Sequence, residues 1–239
     1  MAKGNLYLIP TPLGDGNPSD ILPQPVLDRI LHISRYVVEE SRTARRFLSA
    51  AGLKGHIQEL ELRELNEHSC ESDVESLLEL FADEGGNPTD VGLLSEAGLP
   101  AVADPGAQLV ALCHREGIRV IPMVGPSSLM LALMGSGLNG QSFAFCGYLP
   151  AKSEERRKAI REIEARSARL GQTEIFIETP YRNDSMMADL LSTLKPSTKL
   201  CIAADITNED ETILTMAVKS WNRKTFTIGK RPCVFLILA

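Results

Sequence analysis

Short apolar segments alternate with longer segments of helical periodicity along most of this chain. Strands that alternate with helices form parallel βαβ units, in which the helices pack on the faces of the sheet. The alternation therefore predicts an α/β fold. The predicted strands are Leu6–Pro10, Tyr36–Glu39, Val91–Ser95, Ile118–Met123, Ser142–Gly147, Glu174–Glu178, Leu200–Ala204, Ile213–Val218 and Val234–Leu238.

The spacing of the predicted elements changes near Val124-Gly125-Pro126. Before this point strands and helices alternate regularly, and after it the last two strands follow each other more closely. We therefore expect two α/β lobes, residues 1–123 and 124–239, with a mainly parallel sheet in the first and a mixed sheet in the second. The predicted helices are Pro25–Ile33, Thr43–Ala51, Ser72–Asp83, Pro105–Glu116, Ser127–Ser136, Glu154–Ala168 and Asp184–Leu194.

The composition of the 239 residues, 44% hydrophobic and 23% charged, allows a substantial buried core. A net charge of −6 disfavours non-specific coating of nucleic acid, which needs clustered cations, but it allows a local basic face. No run of about 18 apolar residues occurs, and no basic and apolar leader is seen, so a cytoplasmic protein without membrane contact is expected. Five scattered cysteines without a CxxC pair predict no metal site.

The loop after the first strand, residues 11–18, is rich in glycine and proline but lacks the GxGxxG spacing of dinucleotide-binding folds. Pro18, Pro23 and Pro25 are expected to prevent a helix from starting directly at this loop. The chain also contains no phosphate-binding GxxxxGK[ST] motif and no GxSxG nucleophile motif. The sequence therefore indicates neither a dinucleotide site nor a serine hydrolase.

Loops of small residues follow several predicted strands. Open α/β sheets bind ligands at the carboxyl ends of their strands, and small residues let a ligand reach the backbone N–H and C=O groups. We therefore expect these loops to form one binding site. They are Ser95–Pro100, Ala103–Gly106, Gly125–Ser128, Gly147–Pro150 and Glu178–Arg182.

The chain resembles the tetrapyrrole methylase family in a series of segments: LYLIPTPLGD, VEESRTARRFL, GLLSEAGLPAVADPG, IPMVGPSS, FCGYLPAK and IFIETPYR. Within that family it is most similar to the bacterial branch that methylates a ribose 2′-hydroxyl of a cytidine in small-subunit ribosomal RNA. The resemblance extends in order from about Asn5 to Leu238. It implies two α/β lobes with S-adenosylmethionine in the cleft between them, and usually a homodimer.

The resemblance also implies which residues contact S-adenosylmethionine. Ser95, Glu96, Ala97 and Gly98 match the loop at the methionine end of the cofactor. The other matching positions flank that loop, follow the interlobe strand, lie near the adenosine or close over it. They are Val102, Ala103 and Asp104, then Ser127 and Ser128, then Gly147, Tyr148 and Leu149, and finally Ile206 and Thr207.

The chain departs from the branch at several positions. Glu96 stands where the branch usually has Asp, which lengthens the side chain by one methylene. In the late motif the Arg, Lys and His of the branch are replaced by Ala204, Asn208 and Asp210. Loss of these groups is expected to weaken contacts with phosphate.

Methylation of a ribose hydroxyl needs a base that accepts its proton. Carboxylates at predicted strand ends are candidates: Glu96, Glu39, Glu40 and Glu178. Arg42 matches an arginine of the family motif EDTR and is the expected contact with substrate or phosphate. Glu96 and Arg42 are thus the expected catalytic pair, and Arg45, Arg46 and Arg182 extend the local basic face.

Three functions remain open from the sequence. The first is methylation of ribosomal RNA or the small ribosomal subunit. The second is a methyltransferase whose acceptor is a tetrapyrrole or another small molecule, which the acidic charge favours. The third is a diverged protein that binds the cofactor or a partner without catalysis.

Overall fold

The computed structural model describes residues 3–221 and 226–239, and its contacts divide the chain into two compact units, Met1–Ser127 and Ser128–Ala239. The first unit contains β1 Leu6–Leu8, α1 Pro18–Ile21, α2 Gln24–Ile30, β2 Arg35–Val38, α3 Ser41–Leu48, β3 Glu61–Glu64, α4 Glu71–Ser76, β4 Val91–Leu94, α5 Gly106–Arg115 and β5 Val120–Pro122. The second contains α6 Ser128–Ser136, β6 Phe143–Tyr148, α7 Ser153–Leu170, β7 Thr173–Ile177, α8 Asn183–Thr193, β8 Lys199–Ala204, β9 Thr212–Ala217 and β10 Cys233–Leu238.

The sheet of the first unit has the strand order β3-β2-β4-β1-β5, and its strands are parallel. Helices α2 and α3 pack on one face through residues such as Val26 and Leu48. Helices α4 and α5 pack on the other face through residues such as Val74 and Leu109. All four residues of β4 are buried, as expected for a strand covered on both faces.

The chain leaves the neighbouring strands β1 and β4 toward opposite faces of this sheet. It continues from β1 to the helices of one face and from β4 to α5 on the other face. Such a divergence opens a crevice at the carboxyl ends of the two strands, where α/β sheets bind their ligands.

The sheet of the second unit has the order β6-β7-β10-β8-β9. Strands β6 and β7 are parallel, whereas β10 is antiparallel to both β7 and β8, and β8 is antiparallel to β9. The predictions of an α/β fold, of a parallel first sheet and of a mixed second sheet are therefore confirmed. Helices α7 and α8 cover one face through Ile160 and Met186, and α6 contacts the other face near Ile213.

Two local predictions were wrong or incomplete. A helical turn does begin at Pro18, because the first position of a helix needs no N–H donor and the side chain of Asn17 accepts the Ser19 N–H. Strand β3 was missed because Glu61-Leu62-Arg63-Glu64 shows no apolar alternation. Its position at the edge of the sheet accounts for its charged residues.

A buried charge network joins α7 to α8 in the second unit. The Asp189 carboxylate accepts hydrogen bonds from Ser153 Oγ at 2.9 Å and from the Nε atoms of Arg156 and Arg157, each at 2.7 Å. The Arg156 side chain is almost completely buried and also donates to the Ala151 carbonyl and the Ser185 hydroxyl. Each partner therefore offsets the desolvation of the other.

Replacing Asp189 with alanine should leave the Arg156 guanidinium buried without its counterion. We expect a loss of about 3–5 kcal/mol in the free energy of unfolding, measured by urea denaturation. The matched control is Arg157→Ala, because that side chain is 50% exposed, and it should cost about 1 kcal/mol or less. Similar losses in both variants would contradict the proposed importance of the buried pair.

The pH dependence of unfolding gives a second readout of the same network. Burial opposes ionisation of Asp189, but hydrogen bonds from Arg157, Ser153 and Arg156 outweigh it and lower its pKa. The ionised Asp189 therefore adds its full contribution to the free energy of unfolding above the ordinary aspartate pKa of about 4. This contribution is lost as the pH falls through the lowered pKa of the folded state. The Asp189→Ala variant should lack this part of the acid dependence.

Candidate functional site

Two backbone hydrogen bonds join the loops that follow β1 and β4. The Thr11 N–H donates to the Gly98 carbonyl at 2.9 Å, and the Gly98 N–H donates to the Thr11 carbonyl at 3.1 Å. Gly98 has φ +79°, and a Cβ there would lie 3.0 Å from Leu13 Cδ2. This position therefore requires glycine, and the Thr11–Gly98 pair fixes the distance between the two loops.

The segment before Ser127 packs against the same pair of loops. A Cβ on Gly125 would lie 2.2 Å from Cβ of Pro10, so the absent side chain permits the close approach. The Pro126 carbonyl oxygen would lie 3.5 Å from a Cβ on Gly98. Two of the five loops predicted to form the site, Ser95–Pro100 and Gly125–Ser128, thus meet the loop after β1 at the carboxyl ends of β1 and β4.

Asp104 organises the segment that follows Gly98. Its Oδ1 accepts the N–H groups of Gly106 at 2.6 Å and Ala101 at 3.2 Å. Ala101 and Ala103 both adopt left-handed conformations, with φ of +64° and +57°. Such strain persists only where surrounding contacts impose it, and it is common in ligand-binding loops.

The second oxygen of Asp104 has a different environment. Its Oδ2 is buried and accepts no hydrogen bond from any residue that the structure describes. Burial raises the pKa of this carboxyl group, although the Gly106 and Ala101 N–H groups oppose the shift. The atom is therefore an acceptor that a ligand with an N–H group or a positive charge would satisfy.

The four candidate carboxylates have different roles. Glu40 caps α3 by accepting the N–H groups of Arg42 and Thr43 at 2.8 and 2.7 Å, which lowers its pKa. Glu178 is buried and bonded to Arg182 at 2.6 Å. The half-buried Glu39 accepts the backbone N–H of Glu96, and its pKa is raised by burial and by nearby Asp104.

Glu96 is exposed beside the crevice. Its Oε1 accepts the Thr43 hydroxyl at 2.6 Å, and Thr43 comes from the first turn of α3. This hydrogen bond holds a carboxylate at the mouth of the crevice without burying it. No local sequence pattern joins these two residues, which are 53 positions apart.

A cavity of about 350 Å³ adjoins Glu96 in the first unit. The loop after β1, the helix α3 and the end of β4 form its walls. The lining residues are Thr11, Pro12, Gly14, Asp15, Gly16, Pro18, Thr43, Ala44, Arg46, Phe47, Ala50, Leu94, Ser95 and Glu96. Its position agrees with the crevice expected from the strand order.

The remaining predicted cofactor residues belong to the second unit. Ser128 begins α6. Gly147 and Tyr148 end strand β6 and Leu149 follows it, whereas Ile206 and Thr207 come after β8. Because β6 and β8 run in the same direction, these residues lie at one end of the sheet. Gly147 has φ +66°, and Thr207 has φ +73°, which is rare for a β-branched residue. Tyr148 is 56% exposed, whereas Leu149 and Ile206 are buried.

Arg231 lies at the same end of the second sheet, just before β10, and was not predicted from the sequence. Its guanidinium lies 3.6 Å from the Asp205 carboxylate and donates to Thr212 Oγ1 at 3.3 Å. A positive charge therefore remains beside the altered motif from Ala204 to Glu211. Arg182, in contrast, is already paired with Glu178.

The structure brings Ser95–Gly98, Val102–Asp104 and Arg42 to one end of the first sheet, with Ser127 at the end of that unit.

Among residues 3–221 and 226–239, no group of three or more His, Cys, Asp or Glu side chains has an arrangement that could hold a metal ion. Within the same ranges no helix is both long and apolar enough to span a membrane.

The family model of the tetrapyrrole (corrin/porphyrin) methylases matches residues 6–220. The chain belongs to this family, and it is an S-adenosylmethionine-dependent methyltransferase.

The chain is also similar to individual proteins. The chain is 34% identical over 212 residues to the ribosomal RNA small subunit methyltransferase I of Escherichia coli O157:H7, covering 89% of this chain and 68% of the relative. It is 33% identical over 208 residues to the protein of the same name from Vibrio cholerae, covering 87% and 67%. The crystal structure of the methyltransferase CobJ superposes with a TM-score of 0.62 at 15% identity, covering 98% of this chain and 94% of CobJ, which shows a shared fold.

The residues of the first unit fit S-adenosylmethionine, whose sulfonium and ammonium groups are positively charged. Asp104 Oδ2 supplies a buried acceptor that lacks a protein donor among the described residues. Glu39 lies close enough to both Asp104 and Glu96 to interact with them electrostatically, so negative charge is concentrated at this end of the sheet. Ala97 and Ala103 are exposed, and their small side chains leave the nearby backbone groups accessible to a ligand.

Replacing Asp104 with asparagine tests this fit. The variant keeps an Oδ1 acceptor for Gly106 and Ala101, so the protein should fold with nearly the same melting temperature. The amide in place of Oδ2 cannot accept a hydrogen bond, and we expect S-adenosylmethionine to bind about tenfold or more weakly by isothermal titration calorimetry. An unchanged dissociation constant would show that Oδ2 does not face the cofactor.

Proposed function

We propose that this chain transfers a methyl group to the ribose 2′-hydroxyl of a cytidine in small-subunit ribosomal RNA. The observation that carries the proposal is the cavity beside Glu96, because it places a fixed carboxylate next to a space of nucleoside size and next to exposed arginines. The names of the relatives support the same class of acceptor.

We propose that the cofactor contacts are those expected from the family resemblance, with Asp104 accepting from a positively charged group. S-adenosylmethionine supplies an activated methyl group, and the protein aligns the acceptor for in-line displacement and excludes water. The hydrogen bonds between Thr11 and Gly98, and those that Asp104 accepts from Ala101 and Gly106, hold the backbone of this loop. The loop therefore does not have to become ordered during the reaction in order to align the reactants.

The environment of each carboxylate favours Glu96 as the proton acceptor. Glu40 is occupied as a helix cap, Glu178 is occupied by Arg182, and Glu39 holds the backbone N–H of Glu96. Glu96 alone among these four lines the cavity, and the Thr43 hydroxyl orients it. Glu39 acts in this scheme as a positioning residue for the backbone beneath Glu96.

The arginines of α3 supply local positive charge in an acidic protein. Arg42, Arg45 and Arg46 are exposed on the helix that lines the cavity. Among the described residues, Arg45 and Arg46 form no ion pair within 4 Å. We propose that Arg42 and its neighbours bind phosphates of the RNA backbone, which favours binding without sequence selectivity.

Methyl transfer to small ribosomal subunits that lack the native methylation tests the proposal. We expect labelling by the unaltered protein, and we expect Glu96→Gln to reduce kcat about 100-fold or more, since its side chain keeps the Thr43 hydrogen bond but cannot accept a proton. Because Glu96 also belongs to the proposed cofactor contacts, kcat is to be measured with S-adenosylmethionine at saturation, and its loss should exceed any loss of cofactor affinity. Labelling of a tetrapyrrole instead of RNA would support the alternative acceptor, and no labelling of RNA with cofactor bound would refute the proposal.

We also propose that the protein is a homodimer in the cytoplasm, where the ribosomal substrate is found. An exposed apolar surface on the second unit supports self-association. Met134 of α6 is 78% exposed, and Phe143 and Phe145 are exposed on one face of the edge strand β6. The sequence of α6 from Leu129 to Met134 is wholly apolar, which is unusual for a helix with an exposed face.

Met134→Lys should shift the protein from dimer to monomer in size-exclusion chromatography with light scattering. The matched control is Leu170→Lys, because Leu170 is another exposed apolar residue, located at the end of α7. The control should remain dimeric. A monomeric parent protein, or equal effects of both substitutions, would argue against this interface.

A further inference from the structure

Along helix α3, the side chains on one side of the cavity wall in the first unit change from polar to apolar. Thr43, Ser95 and Glu96 line the polar end, and Phe47 and Ala50 line the wall farther along the same helical segment. The spacing of Thr43, Phe47 and Ala50 places them on one side of that segment. At a rise of about 1.5 Å per residue, Thr43 and Ala50 are separated by about 10 Å along the axis.

The helical segment changes from an α-helix to a π-helical turn just after Phe47. Helix α3 ends at Leu48, and Ser49–Leu53 continues as a π-helical turn in which Gly52 has φ +116°. Phe47 is only partly buried, and it packs against the core that includes Leu48 and Leu53. One part of its side chain is therefore anchored in the core, and the cavity borders the rest.

We propose that this cavity binds one unpaired nucleotide of the RNA acceptor, with the ribose at the Thr43–Glu96 end and the base against Phe47. The inference rests on the proposed function and assigns a recognition role to residues of the same site. A nucleoside has a hydroxylated sugar at one end and a flat ring with apolar faces at the other. The hydroxylated sugar would therefore lie against the polar residues of the cavity wall, and the ring would lie against the apolar ones.

The size of the cavity favours a nucleotide that has left its helix. A volume of about 350 Å³ lies in the range of pockets that bind a single small ligand, and it cannot admit a base pair. Proteins that recognise RNA bases in loops or extruded from helices commonly stack them on aromatic rings. Phe47 provides such a ring beside the proposed proton acceptor.

Arg46 adds charge complementarity to the cavity. It lines the cavity next to Phe47 on α3, and its side chain is exposed to solvent. A guanidinium at this position can bind the phosphate attached to the ribose, in one or two charge-assisted hydrogen bonds. The phosphate would then contact Arg46, the ribose would contact Thr43 and Glu96, and the base would contact Phe47.

The substitution Phe47→Leu separates stacking from packing, because leucine retains apolar volume against the core but lacks the ring. We expect KM for small ribosomal subunits lacking the native methylation to rise about tenfold to hundredfold, as for the loss of one base–aromatic stack. The melting temperature and the dissociation constant of S-adenosylmethionine should change little. Phe47→Tyr, which restores a ring, should restore KM.

A binding measurement distinguishes failure of this inference from failure of the proposed function. The probe is a single-stranded oligoribonucleotide that contains one 2-aminopurine, whose fluorescence is quenched by stacking. The parent protein should quench it, and Phe47→Leu should not. Phe47-dependent quenching without methyl transfer to any RNA would preserve the nucleotide cavity but refute the proposed acceptor.

Three results would overturn the nucleotide cavity itself. The first is an equal KM for the parent protein and Phe47→Leu when RNA is methylated. The second is an absence of quenching by the parent protein. The third is a parallel loss of S-adenosylmethionine affinity in Phe47→Leu, which would show that the cavity belongs to the cofactor.

Discussion

Thr11 and Gly98 exchange two backbone hydrogen bonds, and the arrangement of the crevice depends on them. Strands β1 and β4 are neighbours, but the chain leaves them toward opposite faces of the sheet, so their loops would otherwise diverge. The exchange joins the two loops, and Gly125 fits against Pro10 beside them. The first-unit part of the site therefore forms at the carboxyl ends of β1 and β4, where the loops diverge and the Thr11–Gly98 hydrogen bonds connect them.

Backbone strain occurs in or beside the loops that the family resemblance assigns to the cofactor in each unit. Ala101 and Ala103 in the first unit, and Asp205 and Thr207 in the second, have positive φ although none is glycine. Each such residue costs about 1–3 kcal/mol, and burial of the apolar cores on both faces of each sheet offsets that cost. Backbone N–H groups donate to the carboxylates of Asp104 and Glu211, and these hydrogen bonds hold two of the strained segments in place.

The sequence could predict the helices, strands and strand-end loops because periodicity and turn residues are local signals. It could not predict β3, whose charged residues lack alternation, or the helix at Pro18, where the cap of Asn17 overrides the usual effect of proline. The Thr43–Glu96 hydrogen bond could not be predicted either, because the tertiary fold brings helix α3 next to the loop that follows β4. Arg231 approaches Asp205 only because β10 inserts between β7 and β8.

We propose that the end of the first sheet positions both the methyl group and its acceptor. A crystal structure with bound S-adenosylhomocysteine is the decisive test, because the sulfur atom marks where the methyl group leaves. We expect the sulfur to lie beside Ser95–Gly98, with its open side toward the cavity lined by Thr43 and Glu96. A sulfur atom that faces away from that cavity, with no path from it to Glu96, would refute this arrangement.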